Sequence, residues 1–367
     1  MTQSATQTYT IAALPGDGIG NEVLPAATEV LDALAPAFGL EFRWQHYEWG
    51  CEYYQRTGAM MPEDALETLA AHDAIFLGAV GAPGVADHVS LWGMLIPIRR
   101  EFDQYVNLRP ARLLPNVPSP IAGSRSADLD MVVIRENVEG EYSRIGGRLY
   151  SGTDAEMAVQ ESVFTRRGVE RVMRYAFDLA GRRRAHLTSA TKSNGIVFTM
   201  PFWDELFAEQ ATKYPGVATD QYHIDALAAM FVLDPSRFDV VVASNLFGDI
   251  LTDLAAAVAG SIGVAPSANI NPERRFPSMF EPVHGSAPDI AGRGIANPVG
   301  QLWSAVLMLE HLEQPEAAAA LMAAVESVLA QGVMTPDLGG AATTAEVTSA
   351  LKEVLKDTLG VAHVAGR

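Results

Sequence analysis

The chain has 367 residues, 49 % hydrophobic and 19 % charged, a size and balance that suit a soluble enzyme with a large core and two lobes. Its 44 acidic residues against 26 Lys and Arg give a formal net charge of −18, which argues against nucleic acid or an anionic membrane as partner. Cys51 is the single cysteine, which excludes an intrachain disulfide and a thiolate metal cluster and fits a reducing compartment. No signal-peptide pattern and no apolar run of membrane-span length is present, so the expected location is cytoplasmic.

Short β-rich runs alternate with amphipathic stretches, which predicts an α/β fold. Tyr9–Leu14 reads as a strand and Asn21–Ala35 as a helix with apolar residues at helical spacing. Between them, "PGDGIG" (Pro15–Gly20) invites a dinucleotide reading, but Asn21 stands where the third glycine belongs. A tight turn, with Asn21 or a neighbour capping the helix, is the plainer expectation. Ala74–Val80 is a continuous apolar run, as in a strand covered on both faces. A Pro-rich loop follows at Leu114–Ser126, then a strand at Met131–Arg135 and a Gly-punctuated hairpin segment from Tyr142 to Val163. Strands are expected at Ala185–Ala190 and Asp239–Ser244, and helices around Gly195–Thr212 and Gly248–Ala259. Pro266–Pro282 reads as a Pro/Asn-rich loop before helices at Pro298–Leu312 and Pro315–Leu329.

Chemistry gathers in a few stretches. "NLFGDILTD" (Asn245–Asp253) places Asp249 and Asp253 four residues apart, where like charges on one helix face repel. Asp249, just after Gly248, could face the helix dipole as a first-turn acid; Asp253 could not. With Asp225 on the apolar "QYHIDALAAM" stretch, these acids point to a hard cation, Mg²⁺ or Mn²⁺. Arg99, Arg109 and Arg135 are candidate forks for a di- or tricarboxylate, the last two at or near strand ends. Lys192 in "TSATKSNG" is a candidate base whose pKa a metal and arginines would lower, and Tyr142 in "EGEYS" a candidate acid. Each of these residues taken singly also has a bland reading, as a salt bridge, a cap or a core side chain.

Together "LPGDGIG", "NLRP", "RENVEGEY", "TKSNG", "NLFGDILTD", "FEPVHGSAPDIAG" and "IANP" resemble the metal-dependent decarboxylating dehydrogenases of 2-hydroxy acids, over nearly the whole chain. That family includes isocitrate, 3-isopropylmalate and tartrate/D-malate dehydrogenases. The stretches 87–110 and 160–180 look most like its tartrate/D-malate branch. The resemblance implies a two-lobed isocitrate/isopropylmalate dehydrogenase-like fold rather than a Rossmann domain, with interleaved lobes. Residues 1–106 and 259–367 would form the large cofactor-binding lobe, and 107–258 the small lobe with dimerisation, substrate and metal residues. It also implies a homodimer with shared active sites. Arg99, Arg109 and Arg135 would clamp the carboxylates of a small dicarboxylate. Asp249 and Asp253 would hold the metal with Asp225 from the partner. Lys192, also from the partner, and Tyr142 would be base and acid. His284, Gly285, Ser286, Ala287, Asp289 and Asn297 would hold the cofactor. Members that use NADP carry a lysine and a tyrosine where this chain has Asp289 and Ile290, so NAD is expected, with Mn²⁺ or Mg²⁺ and room for a monovalent cation such as K⁺.

Selectivity is expected just before Arg99, where Leu95 and Trp92, four and seven residues upstream, would share its helical face. The uncharged "LWGML" fits a small C3 substituent, hence D-malate or a tartrate; 3-isopropylmalate is the alternative. A catalytically silent subunit would lack one of the metal acids, Lys192 or Tyr142, and this chain keeps them all.

Overall fold

A computed structural model describes residues 6–121, 123 and 129–365. The strands are β1 (Gln7–Gly16), β2 (Leu40–His46), β3 (Ala74–Ala79), β4 (Val106–Arg112), β5 (Asp130–Glu136), β6 (Gly146–Leu149), β7 (Met157–Gln160), β8 (His186–Thr191), β9 (Ala218–His223), β10 (Val240–Ala243), β11 (Pro266–Ile270) and β12 (Ser278–Pro282). Two compact units form: one from Met1–Gln104, Arg112–Ser126 and Ala256–Arg367, the other from Tyr105–Ala111 and Ala127–Ala255. The expected joints at 106/107 and 258/259 shift by a few residues. Part of the expected small lobe also belongs to the first unit: Arg112 pairs with Glu326, Asn116 donates to the carbonyls of Leu329 and Ala330, and Ser119 to that of Val258. Residues 122 and 124–126 of the expected Pro-rich loop lie outside the described residues.

In the first unit the strand order is β2-β1-β3-β12-β11, with β1 parallel to β2 and β3, β12 parallel to β3, and β11 antiparallel to β12. Covered strands explain the unbroken apolar run of β3. The helix Gly20–Leu34 buries Val23, Leu24, Ala27, Val30, Leu31 and Leu34, one stripe at helical spacing. Truncating a fully buried leucine such as Leu31 to Ala would cost about 2–5 kcal/mol. The N-cap is Ile19, a neighbour of Asn21, with no side-chain cap bond; its N–H donates to the Ser286 carbonyl at 2.9 Å.

The loop expected over Pro266–Pro282 is instead the hairpin β11–β12, with Ser267 opposite Glu281. Both strands are buried along their whole length, and Ser267, Asn269, Ser278 and Glu281 on them are polar. Asn269 Nδ2 donates to Glu281 Oε1 and to the Met279 carbonyl, and Ser278 Oγ accepts from Asn271 N, so polar side chains stand where alternating apolar groups would give a strand signal.

In the second unit the order is β4-β5-β10-β8-β9, with β5, β10, β8 and β9 mutually parallel. The helix Arg166–Arg182 is capped by Thr165, whose hydroxyl accepts from Gly168 N at 3.0 Å. The helix Asn245–Val258 follows β10 directly, three residues before its expected start. β6 and β7 pair antiparallel as an exposed hairpin. The helix Ile224–Leu233 is almost wholly apolar, yet only Leu227 and Phe231 on it are buried.

Candidate active site

Arg135 ends β5 and Arg109 lies on β4, both buried. The helix Asn245–Val258 passes so close to Arg135 that a Cβ on Gly248 would stand 2.6 Å from Arg135 Cβ; glycine is required there. The contact brings Arg135 Nε and Nη2 onto Asn245 Oδ1 at 3.1 and 2.7 Å, and Arg135 Nη1 onto Asp249 Oδ1. Tyr142 Oη donates to Asp249 Oδ2 at 2.7 Å, and the Arg135 guanidinium stands over the Tyr142 ring, 5.3 Å from its centre. Arg109 Nη1 donates to Thr252 Oγ1 at 2.7 Å and lies 3.6 Å from Asp249 Oδ1 and 3.8 Å from Asp253 Oδ1.

Five expected residues thus meet at one point: Arg109, Arg135, Tyr142, Asp249 and Asp253. Asp249 is not the first-turn acid that a helix start at Gly248 would make it, because the helix begins at Asn245. Its charge is instead met by two arginines and a phenol. Partial burial pushes the Asp253 carboxyl above the usual range; Arg109 opposes that rise and the Asp249 charge adds to it.

Asp225 is elsewhere. Thr191 of β8 pairs in register with His223 of β9, so the residues just beyond the strand ends come together, and Lys192 Nζ donates to Asp225 Oδ1 at 2.7 Å. That bond lowers the Asp225 pKa. Within one chain, the described residues contain no group of three or more His, Cys, Asp or Glu able to hold a metal. Asp249 and Asp253 supply hard oxygen donors on a common face, which fits Mg²⁺ or Mn²⁺.

In the first unit, Arg99 lies on the helix Ile96–Glu101 and is buried. Its Nη2 donates to Glu281 Oε1 at 2.8 Å, an oxygen that also accepts from Asn269 Nδ2 at 2.7 Å. Its buried Nε has no partner among the described residues. Trp92 leaves the face expected for it with Leu95 and Arg99. Leu91–Leu95 is a π-helical turn, whose extra residue shifts the phase by one, so the Trp92 ring stacks under Arg100 at 5.1 Å. Leu95 is half-buried against the core that holds Met94 and Ile98.

The loop from His284 abuts the glycine turn: a Cβ on Gly18 would stand 2.1 Å from the Ser286 carbonyl oxygen. Ile19 packs with Ala287 and Ile290. His284 Nδ1 lies 3.0 Å from the Gly285 carbonyl, its buried Nε2 has no partner among the described residues, and burial lowers its pKa. Asn297 Oδ1 accepts from Val299 N and its Nδ2 donates to Asp337. Asp289 is exposed. A backbone-close glycine turn beside an unpartnered imidazole nitrogen and an exposed carboxylate fits a nucleotide cofactor.

The profile of the family described as isocitrate/isopropylmalate dehydrogenase matches residues 10–354. The chain belongs to that family. It is 57 % identical over 342 residues to a probable tartrate dehydrogenase/decarboxylase of Bacillus subtilis, covering 93 % of this chain and 96 % of that one. It is 56 % identical over 357 residues to the D-malate dehydrogenase [decarboxylating] of Escherichia coli, covering 95 % and 99 %. The crystal structure of isocitrate dehydrogenase from Methylococcus capsulatus superposes with a TM-score of 0.85 at 35 % identity, covering 95 % of this chain and 99 % of that one. The α/β fold of this chain is therefore that of the isocitrate/isopropylmalate dehydrogenase family.

Residues that sequence reasoning left without a role complete the picture. Asn245 and Thr252 seat Arg135 and Arg109, and Glu281 seats Arg99. All three lie inside motifs already quoted, so position in a motif was the available signal.

Proposed function

We propose that the chain oxidises and decarboxylates a small 2-hydroxy dicarboxylic acid, D-malate or a tartrate, with NAD and Mn²⁺ or Mg²⁺. The observation that carries this reading is the convergence of Arg109, Arg135 and Tyr142 on Asp249. Two buried guanidiniums suit a substrate carboxylate, and a phenol beside them is placed to give a proton. The names of the Bacillus and Escherichia coli relatives support the substrate class.

Arg99, Arg109 and Arg135 bind the substrate carboxylates. A divalent cation at Asp249 and Asp253 would lower the pKa of the substrate hydroxyl and polarise the ketone that follows. Lys192 takes the hydroxyl proton; NAD, when bound, would supply the acceptor for the hydride of C2. Loss of CO₂ from the carboxylate β to the new ketone leaves its electron pair in an enolate, and Tyr142 gives its proton to the enolate carbon. His284–Ala287, Asp289 and Asn297 hold the adenosine half of NAD.

The chain works as a homodimer in this reading, with Asp225 and Lys192 of one copy completing the metal and base positions of the other. Three features support it: the separation of Asp225 from the Asp249–Asp253 pair among the described residues, the Lys192–Asp225 bond, and the large apolar side chains left exposed in the same unit, Phe198 (85 %), Leu233 (76 %) and Ile250 (54 %). The buried thiol of Cys51 fits the cytoplasm. Among the described residues no helix is long and apolar enough to cross a membrane.

The test is a rate panel with Mn²⁺ and NAD over D-malate, L- and meso-tartrate, 3-isopropylmalate and isocitrate. D-malate or a tartrate should exceed 3-isopropylmalate by at least about tenfold in kcat/KM, the size of effect one misfit apolar group produces. Parity or better for 3-isopropylmalate would overturn the substrate assignment.

A further inference from the structure

The segment between Arg135 and Tyr142, "ENVEGE", carries three glutamates, and the reaction as described uses none of them. Each has a different partner. Glu136 is buried and accepts from the N–H groups of Val138 and Glu139, closing its own turn. Glu139 accepts from Thr165 N and Oγ1 at 2.8 Å, at the start of the helix Arg166–Arg182. Glu141 reaches across to the helix that bears Asp249 and Asp253. Its Oε1 accepts from Ser244 Oγ at 2.7 Å and its Oε2 from Leu246 N at 3.0 Å. The neighbouring Glu139 carbonyl accepts from Asn245 Nδ2 at 2.9 Å, the same amide whose oxygen holds Arg135.

We infer that Glu141 is the positioning residue for the metal-binding carboxylates: it holds the first turn of the Asn245–Val258 helix and thereby sets the rotation and height of Asp249 and Asp253. Three physical facts carry this. The first turn of a helix has N–H groups with no intrahelical acceptor, and this helix has no acidic residue of its own there. A carboxylate from another segment supplies the missing acceptor. Two bonds, one to the residue before the helix and one to its second residue, fix the helix against rotation about its axis, and rotation is the motion that would carry Asp249 away from Tyr142. Glu141 and Tyr142 are adjacent in the chain, so one short segment places both the acid and the carboxylates it faces.

The inference rests on the proposed metal site, and the experiment separates the two. Mn²⁺ binding to the full-length protein would be measured by the loss of the free-ion electron paramagnetic resonance signal for the parent, Glu141→Ala, Glu141→Gln, Thr165→Ala and Asp249→Asn, with melting curves for each. Loss of a group that orients a metal ligand weakens binding about 10–100-fold, and Glu141→Ala should raise the Mn²⁺ Kd by at least about tenfold. Glu141→Gln can still accept from Leu246 N and donate to Ser244 Oγ, and should bind within about threefold of the parent. Thr165→Ala removes a cap from the other helix, so it should lower Tm and leave the Mn²⁺ Kd unchanged. Parental Mn²⁺ affinity in Glu141→Ala, with Asp249→Asn impaired, would overturn the positioning role and leave the metal site standing. Glu141→Gln as weak as Glu141→Ala would overturn it too, because charge rather than bonding would then be the cause. Parental affinity in Asp249→Asn would overturn the metal site itself.

Discussion

Tyr142 donates its phenol proton to Asp249 Oδ2 at 2.7 Å, while the other oxygen of that carboxylate takes Arg135 Nη1. One aspartate thus orients both a candidate acid and a candidate carboxylate receptor. Tyr142→Phe keeps the ring under the Arg135 guanidinium and removes the hydroxyl with its proton. General-acid groups contribute about 10²–10⁴-fold, so steady-state kcat on D-malate should fall at least about a hundredfold with little change in substrate Kd. Rapid mixing should still show NADH formed in the first turnover. Parental turnover in this variant would remove the acid assignment.

The bond between Lys192 and Asp225 predicts subunit complementation. Lys192→Met and Asp249→Asn should each be inactive, because one lacks the base and the other a metal carboxylate. In an equal mixture, half of randomly exchanged dimers are hybrids and each regains one of its two sites, so about a quarter of parental activity should return. Exchange proved by mass spectrometry without recovered activity would count against shared sites.

A stability profile should carry the mark of Glu136. Burial first, and then the charge of Glu139, push its carboxyl up to about 7 from an ordinary 4.5. The folded state therefore binds that proton more tightly than the unfolded chain. The stabilisation is present in full below about pH 4.5 and is lost as pH rises through about 7. Glu136→Gln should flatten this slope in urea titrations between those limits and leave the variant the more stable protein above pH 7. An unchanged slope would show that Glu136 titrates in the ordinary carboxylate range.

Cofactor choice should turn on Asp289, exposed on the loop after His284. A carboxylate can accept both hydroxyl hydrogens of an adenosine ribose and would repel a 2′-phosphate, so NAD should exceed NADP by at least about tenfold in kcat/KM. Asp289→Lys with Ile290→Tyr should erode that ratio first by weakening NAD. Ile290 packs against Ile19, so melting curves must accompany the kinetics. Equal use of the two cofactors by the parent protein would sink this assignment.

Read alone, the residues already determined the α/β class and most of its elements. Alternation of apolar runs with helical stripes is a local property, and β1, β3, β5, β8 and β10 with the helices at 20–34, 299–311 and 315–330 form within a few residues of their expected places. The chemistry of the motifs was also legible, since residue type limits what Asp, Arg, Lys and Tyr can do. Local pattern cannot see bonds between residues far apart in the chain. Arg135 meets Asn245 across 110 positions and Tyr142 meets Asp249 across 107. Such bonds decided that the helix begins at Asn245, that Glu141 caps it, and that the residues from Arg112 to Ile121 pack with the first unit. The polar hairpin at 266–282 and the π turn at 91–95 escaped for the same reason. Their conformations are held by partners such as Glu281 with Asn269, and Trp92 with Arg100, and hydrophobic periodicity leaves no trace of either.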